Sequence, residues 1–129
     1  MGCALPLAMG AKIATPARPV VAFTGDAGLL MVMGELSTAV EMRLPVIAVV
    51  FVDASLGLIE MKQRQRQLAN TGVDFARHDF AAIAEGFGAR GVRVSDRATL
   101  RAALQDALAA DLPTVIAAEI DRQAYDGRL

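Results

Sequence analysis

A chain of 129 residues supports one domain with a core of its own, and no linker, repeat or low-complexity segment divides it. Its 54% hydrophobic content and mean hydropathy of +0.41 exceed the soluble average of about 45–50% apolar, which implies a sheet buried on both faces and apolar surface meant for a partner. A net charge of −1 supplies no field for nucleic acid or an anionic membrane, and the single Cys3 excludes an internal disulfide and fits a reducing compartment. No apolar run reaches the roughly 20 residues of a membrane helix, and residues 1–11 lack the positive start of a signal peptide. Pro6 stands where a myristoylation pattern wants Ser or Thr. The chain reads as soluble and cytoplasmic.

Gly2 to Ala14 carries helical spacing through Leu5, Met9 and Ile13 and stops before Thr15-Pro16. A strand follows over Val20 to Thr24, then a loop at Gly25–Gly28 and a helix over Leu30 to Met42 with Leu36, Ala39 and Val40 on one face. Leu44-Pro45 ends that helix, and a second strand covers Val46 to Val52. Ala54-Ser55 opens a helix from Leu56 to Leu68, apolar in front and basic behind at Lys62, Arg64 and Arg66, which reads as a solvated end. Ala69 to His78 reads as a loop, and Asp79 as the N-cap of a short helix to Phe87. The third strand is Gly91–Val94, a helix capped by Ser95 or Asp96 runs to Ala110, and the fourth strand is Thr114–Ile120. Residues after Asp121 read as a tail. Strands alternating with helices specify an α/β fold, a doubly wound, mainly parallel sheet with helices on both faces.

Two strands end in an aspartate, Asp26 and Asp53, and carboxyl ends of parallel strands are where open α/β sheets bind ligands. Gly25-Asp26-Ala27-Gly28 permits a tight turn whose N–H groups face outward before a helix, a setting that attracts phosphate. Asp26 itself repels phosphate, so the simplest reconciliation is Mg2+, which takes one or two carboxylates together with phosphate oxygens. Asp53 supplies the second carboxylate and the Ser55 carbonyl a further oxygen. Each half alone is common, since a strand-end Asp is often only a helix cap. Together, across one helix and one strand, they are specific.

These residues resemble the diphosphate-binding domain of thiamine-diphosphate enzymes, in the acetolactate synthase and 2-oxo-acid decarboxylase group. That family's motif runs from Gly-Asp-Gly to a pair of asparagines after a helix and an apolar strand; here Gly25-Asp26-Ala27 fills the first part and Val52-Asp53 the second. Ala4-Leu5-Pro6, Glu35 to Val40, Leu44-Pro45-Val46 and Leu56-Gly57-Leu58 match the surroundings, and the spacing holds without gaps through Gly57. The resemblance implies thiamine diphosphate and Mg2+ as cofactors, with Asp26, Asp53 and the Ser55 carbonyl as metal ligands. It implies that Ala27 and Gly28 hold the diphosphate through backbone N–H, that Met1 lies under the cofactor as a bulky apolar support, and that Leu58 flanks the aminopyrimidine side.

The chain departs from the family at three places. Ala27 replaces a glycine, as the acetolactate synthase branch tolerates. Val52 and Asp53 replace the asparagine pair, adding a second negative charge at the metal. Lys62 stands where plant and fungal acetolactate synthases carry tryptophan. The resemblance further implies a partner, because family members are several times longer, assemble as homo- or hetero-oligomers, and activate the cofactor with a glutamate from a separate pyrimidine-binding domain or subunit. Nothing in this chain matches that domain, and Glu35, Glu41 and Glu60 read as surface residues. The expectation is therefore one cofactor-binding domain, a fragment or subunit of a larger enzyme and inactive alone, with a free-standing cofactor-binding subunit or non-catalytic remnant as the alternative. His78 reads as a surface residue, Cys3 as a small buried hydrophobe, and Met31, Met33 and Met42 as core or interface filler.

A phosphoacceptor receiver domain is the rival reading. It needs an acidic pair after its first strand and a late lysine, whereas the only lysines here are Lys12 and Lys62. A nicotinamide-binding domain lacks its Gly-x-Gly-x-x-Gly after the first strand.

Overall fold

The two strands buried along nearly their whole length occupy the middle of the sheet, where both faces demand apolar side chains. The computed structural model describes residues 1–125. Its strands β1 (Val20–Gly25), β2 (Val46–Val52), β3 (Arg90–Val94) and β4 (Thr114–Glu119) pair in parallel in the order β1-β2-β4-β3. Apart from half-buried Phe51, every residue of β2 is buried, as is β4 from Thr114 to Ala118.

Alternation along β2 divides two cores. Val46, Ala48, Val50 and Val52 face α1 (Ala4–Ala14), α2 (Asp26–Leu30), α3 (Glu35–Glu41) and α5 (Phe80–Gly86) through Leu5, Met9, Leu29, Leu36, Phe80 and Ala84. Ile47 and Val49 face α6 (Arg97–Leu108) through Ala103 and Ala107. The expected α/β fold with helices on both faces is present. The second face is covered only in part: Val21 and Phe23 of β1 stand exposed beside Phe51. The apolar surplus of the composition thus fills the central strands and also reaches the surface.

Several boundaries differ from expectation. The residues Gly25–Gly28 do not form a loop, because α2 begins at Asp26 as β1 ends. The single helix expected over Leu30 to Met42 is two short ones. Between them Val32 N–H bonds Leu29 O at 2.9 Å and Glu35 N–H bonds Val32 O at 3.0 Å, i→i+3 spacings tighter than an α-helix, next to the weak helix former Gly34. On α1 the buried stripe is Leu5, Ala8, Met9 and Lys12, so Ile13 falls outside it and is exposed. Lys12 buries its stem on that stripe and donates from Nζ to Pro16 O at 2.9 Å and Arg18 O at 2.8 Å, tying the turn that leads into β1. Met31 and Met42 are exposed, while Met33 packs against the core.

The fourth helix, α4, covers Gly57–Gln65 and buries only Met61. Asp79 caps α5 as expected, its carboxylate accepting Ala82 N–H at 3.1 Å. Asp96, not Ser95, caps α6, in a reciprocal box with Thr99. A 3-10 turn at Arg122–Tyr125 occupies the start of the expected tail, whose last residues lie outside the described ones. Among the described residues no helix is long and apolar enough to cross a membrane.

Candidate functional site

Parallel pairing of β1 with β2 sets Gly25 opposite Phe51, so both strands finish at the same edge. Asp26, only 2% exposed, joins those ends. Its Oδ1 accepts the N–H of Ala27 at 2.7 Å, and its Oδ2 accepts those of Ala54 at 2.8 Å and Asp53 at 3.2 Å. One carboxylate thus satisfies three backbone donors from two strand termini.

The turn after β2 is built around a left-handed residue. Ala54 has φ +58°, a conformation that costs a non-glycine residue about 1–2 kcal/mol. It persists because both sides of the peptide are held: the Ala54 N–H by Asp26, and the Ala54 carbonyl by Phe75 N–H at 3.1 Å. Leu56 N–H bonds Val73 O at 2.8 Å, and Ser55 and Asp74 form an antiparallel bridge. The segment read as a plain loop, Ala69 to His78, therefore pairs with the turn that carries Asp53 and Ser55.

Asp53 receives Ser55 N–H on Oδ1 at 3.0 Å. Partial burial raises its carboxyl above the ordinary range; the Ser55 N–H opposes this, the Asp26 charge adds to it, and Arg122 opposes it. Ser55 is buried, with its hydroxyl donating to Val73 O at 3.4 Å.

All ten residues singled out in the sequence, Met1, Gly25, Asp26, Ala27, Gly28, Asp53, Ser55, Leu56, Gly57 and Leu58, line one cleft of about 530 Å3. Met1 and Leu58 form its exposed apolar rim. Gly28 is required by close packing, since a Cβ there would lie 2.6 Å from Thr24 Oγ1. Cys3 also lines the cleft and is exposed, contrary to the expectation of a buried hydrophobe, because α1 starts only at Ala4 and leaves it on the rim. His78 is exposed as expected, edge-on to Phe80.

The sequence reading missed Phe23, Phe51, Thr24 and Ile59 on this wall. The two phenylalanine rings stack nearly parallel, with centroids 6.2 Å apart. Their signal was an aromatic residue shortly before each strand-end aspartate.

Asp26, Asp53 and the Ser55 carbonyl could offer oxygen donors alone, a chemistry that suits a hard cation such as Mg2+. In the cleft Asp26 and Asp53 are the only carboxylates among the described residues.

Comparison with known proteins agrees with this geometry. The chain is 36% identical over 121 residues to the catabolic acetolactate synthase of Raoultella terrigena, covering 94% of this chain and 22% of that protein. It is 34% identical over 121 residues to an acetolactate synthase of Bacillus subtilis, covering 94% of this chain and 21% of that one. The solved structure of a thiamine diphosphate-dependent 4-hydroxybenzoylformate decarboxylase from Rhodococcus jostii RHA1 superposes with a TM-score of 0.87 at 30% identity, over 94% of this chain and 23% of that chain. The chain thus spans about a fifth of the length of these relatives. The family described as thiamine pyrophosphate enzyme, C-terminal TPP binding domain, matches residues 1–118. With a match over nearly the whole chain and the strand-end aspartates at the cleft, the receiver reading falls away, and the chain belongs to the thiamine pyrophosphate-binding domain family of acetolactate synthase-like and decarboxylase-like enzymes.

Proposed function

We propose that the chain anchors the diphosphate of thiamine diphosphate through Mg2+, within an enzyme that decarboxylates or ligates 2-oxo acids. The observation that carries this reading is the convergence of Asp26, Asp53 and Ser55, distant in sequence, on one cleft beside the start of α2. Asp26, Asp53 and the Ser55 carbonyl are the residues that would hold the cation, and the first-turn N–H groups of Ala27 and Gly28 would meet the diphosphate. Ala27 N–H is already bonded to Asp26, which makes Gly28 the readier donor. Met1, Leu58, Phe23 and Phe51 would offer apolar contact to the rest of the cofactor. When bound, thiamine diphosphate supplies a nucleophilic carbon for making and breaking bonds beside a carbonyl; the protein binds, orients and tunes it.

The partner in this reading is a pyrimidine-binding domain or subunit, in a homo- or hetero-oligomer. The exposed apolar surface of Val21, Phe23 and Phe51 next to the cleft supports it, as does the greater length of the relatives. Calorimetric titration tests the metal anchor: thiamine diphosphate should release heat of binding with Mg2+ present and none in a chelator. Equal binding in both would sink the site.

A further inference from the structure

The turn that presents Asp53 and Ser55 has one internal tie, Ser55 N–H on Asp53 Oδ1, and depends on its neighbours for the rest. Its left-handed Ala54 is kept in place on one side by Asp26 and on the other by pairing with residues 73–75. That outer segment has little anchorage of its own, since Val73 is its only buried residue between Ala69 and Asp79. Gln63 Nε2 ties it at Thr71 O at 3.0 Å, and Asp74 supplies a second anchor. Its Oδ2 accepts Asn70 Nδ2 at 2.8 Å from the start of the segment, and its Oδ1 accepts the Arg122 guanidinium at 2.7 Å from the chain beyond β4.

We propose that Asp74 and Arg122 form a brace that positions the metal-binding turn from behind, and that both are positioning residues for the cation although neither lines the cofactor cleft. The inference rests on the metal anchor proposed above. Both oxygens of one carboxylate are used, each toward a different part of the chain, while the Asp74 backbone bridges Ser55. If the brace is removed, segment 73–75 can peel from 54–56. Ala54 then loses the Phe75 bond that opposes its relaxation toward ordinary backbone angles. Relaxation there shifts Asp53 and Ser55 relative to Asp26, and a hard cation is sensitive to such shifts because its oxygen geometry is strict.

The test is a paramagnetic-resonance titration of Mn2+ into the protein at saturating thiamine diphosphate, with melting of the metal-free protein measured alongside. Asp74→Ala and Arg122→Ala should each weaken Mn2+ binding a few-fold, less than the roughly tenfold of side chains bonded directly to a metal ligand, and the loss in Arg122→Ala is net of the gain from taking a cation away from Asp53. The double variant should be no worse than either single one, because one brace is removed in all three. Arg122→Lys should recover most of the affinity, and the metal-free melting temperatures should stay together. Arg93→Ala, which breaks a similarly exposed ion pair to Asp79, should leave Mn2+ binding unchanged. Wild-type binding with undiminished affinity in Asp74→Ala overturns the brace alone, as does an equal loss in Arg93→Ala. Absence of Mn2+ binding in the wild type overturns the metal anchor and the brace with it.

Discussion

Asp53 brings a second carboxylate close to Asp26, and the metal-free chain bears the cost. Burial is the main cause of its raised pKa, and the neighbouring Asp26 charge adds to it against Ser55 N–H and Arg122. A carboxyl whose folded pKa lies above its unfolded value favours the folded state below the unfolded value. That contribution is lost as pH rises through the folded value. Once ionised, Asp53 therefore works against the metal-free fold. Asp53→Asn should raise the melting temperature of the metal-free protein at pH 7, and the gain should vanish as pH falls toward about 4. The same variant should bind Mg2+ more weakly, because a neutral amide replaces a charged ligand. Scanning calorimetry in chelator at the two pH values checks the first part; a lower melting temperature for the variant at pH 7 would refute it. At this level the sequence was informative: residue type and position at a strand end singled out Asp26 and Asp53, and both line the one cleft. It could not show that Asp26 also stitches the two strand ends, because those hydrogen bonds depend on a register set by strand pairing.

Elements differ in how far local chemistry defines them. The cap of α5 was readable, and that of α6 narrowed to Ser95 or Asp96, because a cap is a contact between near neighbours, Asp79 with Ala82 and Asp96 with Thr99. The break between α2 and α3 was not, since Leu30 to Met42 keeps a helical apolar stripe through the interruption. The pairing of residues 73–75 with 54–56 was also hidden, because no alternation marks so short a ladder. Packing between elements is most demanding where α5 lies on β3. A Cβ on Gly91 would fall 2.1 Å from the Ala81 carbonyl oxygen, so helix and strand approach as closely as backbone allows. Gly91→Ala should destabilise the protein by about 1–3 kcal/mol, the range of overpacked cores. Urea denaturation measures it, and a midpoint equal to wild type would show that α5 shifts without cost.

For the molecule as a whole, composition foretold an apolar excess but not its address. The alternation of β1 shows that Val21 and Phe23 share a face, yet only the fold reveals that α6 stops short of it. Phe23 is 61% exposed and Leu58 56%, both at the cleft mouth, so the wall of the cofactor site is also unprotected surface. Asp26 and Asp53 are its only carboxylates among the described residues, and both are committed to the cation in the proposed function. In that proposal the group that activates the cofactor would be supplied by the partner domain or subunit. The 129-residue chain alone should not turn over pyruvate or benzoylformate, and carbon dioxide release by the pure chain would contradict this.

One carboxylate has a wider reach than its role as a ligand. Because Asp26 fastens the end of β1 to the start of the turn after β2, the atoms that would grip the cation are the same atoms that close the sheet at that edge. Loss of cofactor binding through this residue is also loss of architecture, so selection for the fold alone would retain it. A descendant of this chain that had abandoned catalysis would still carry the aspartate, as a fossil of the chemistry kept by mechanics.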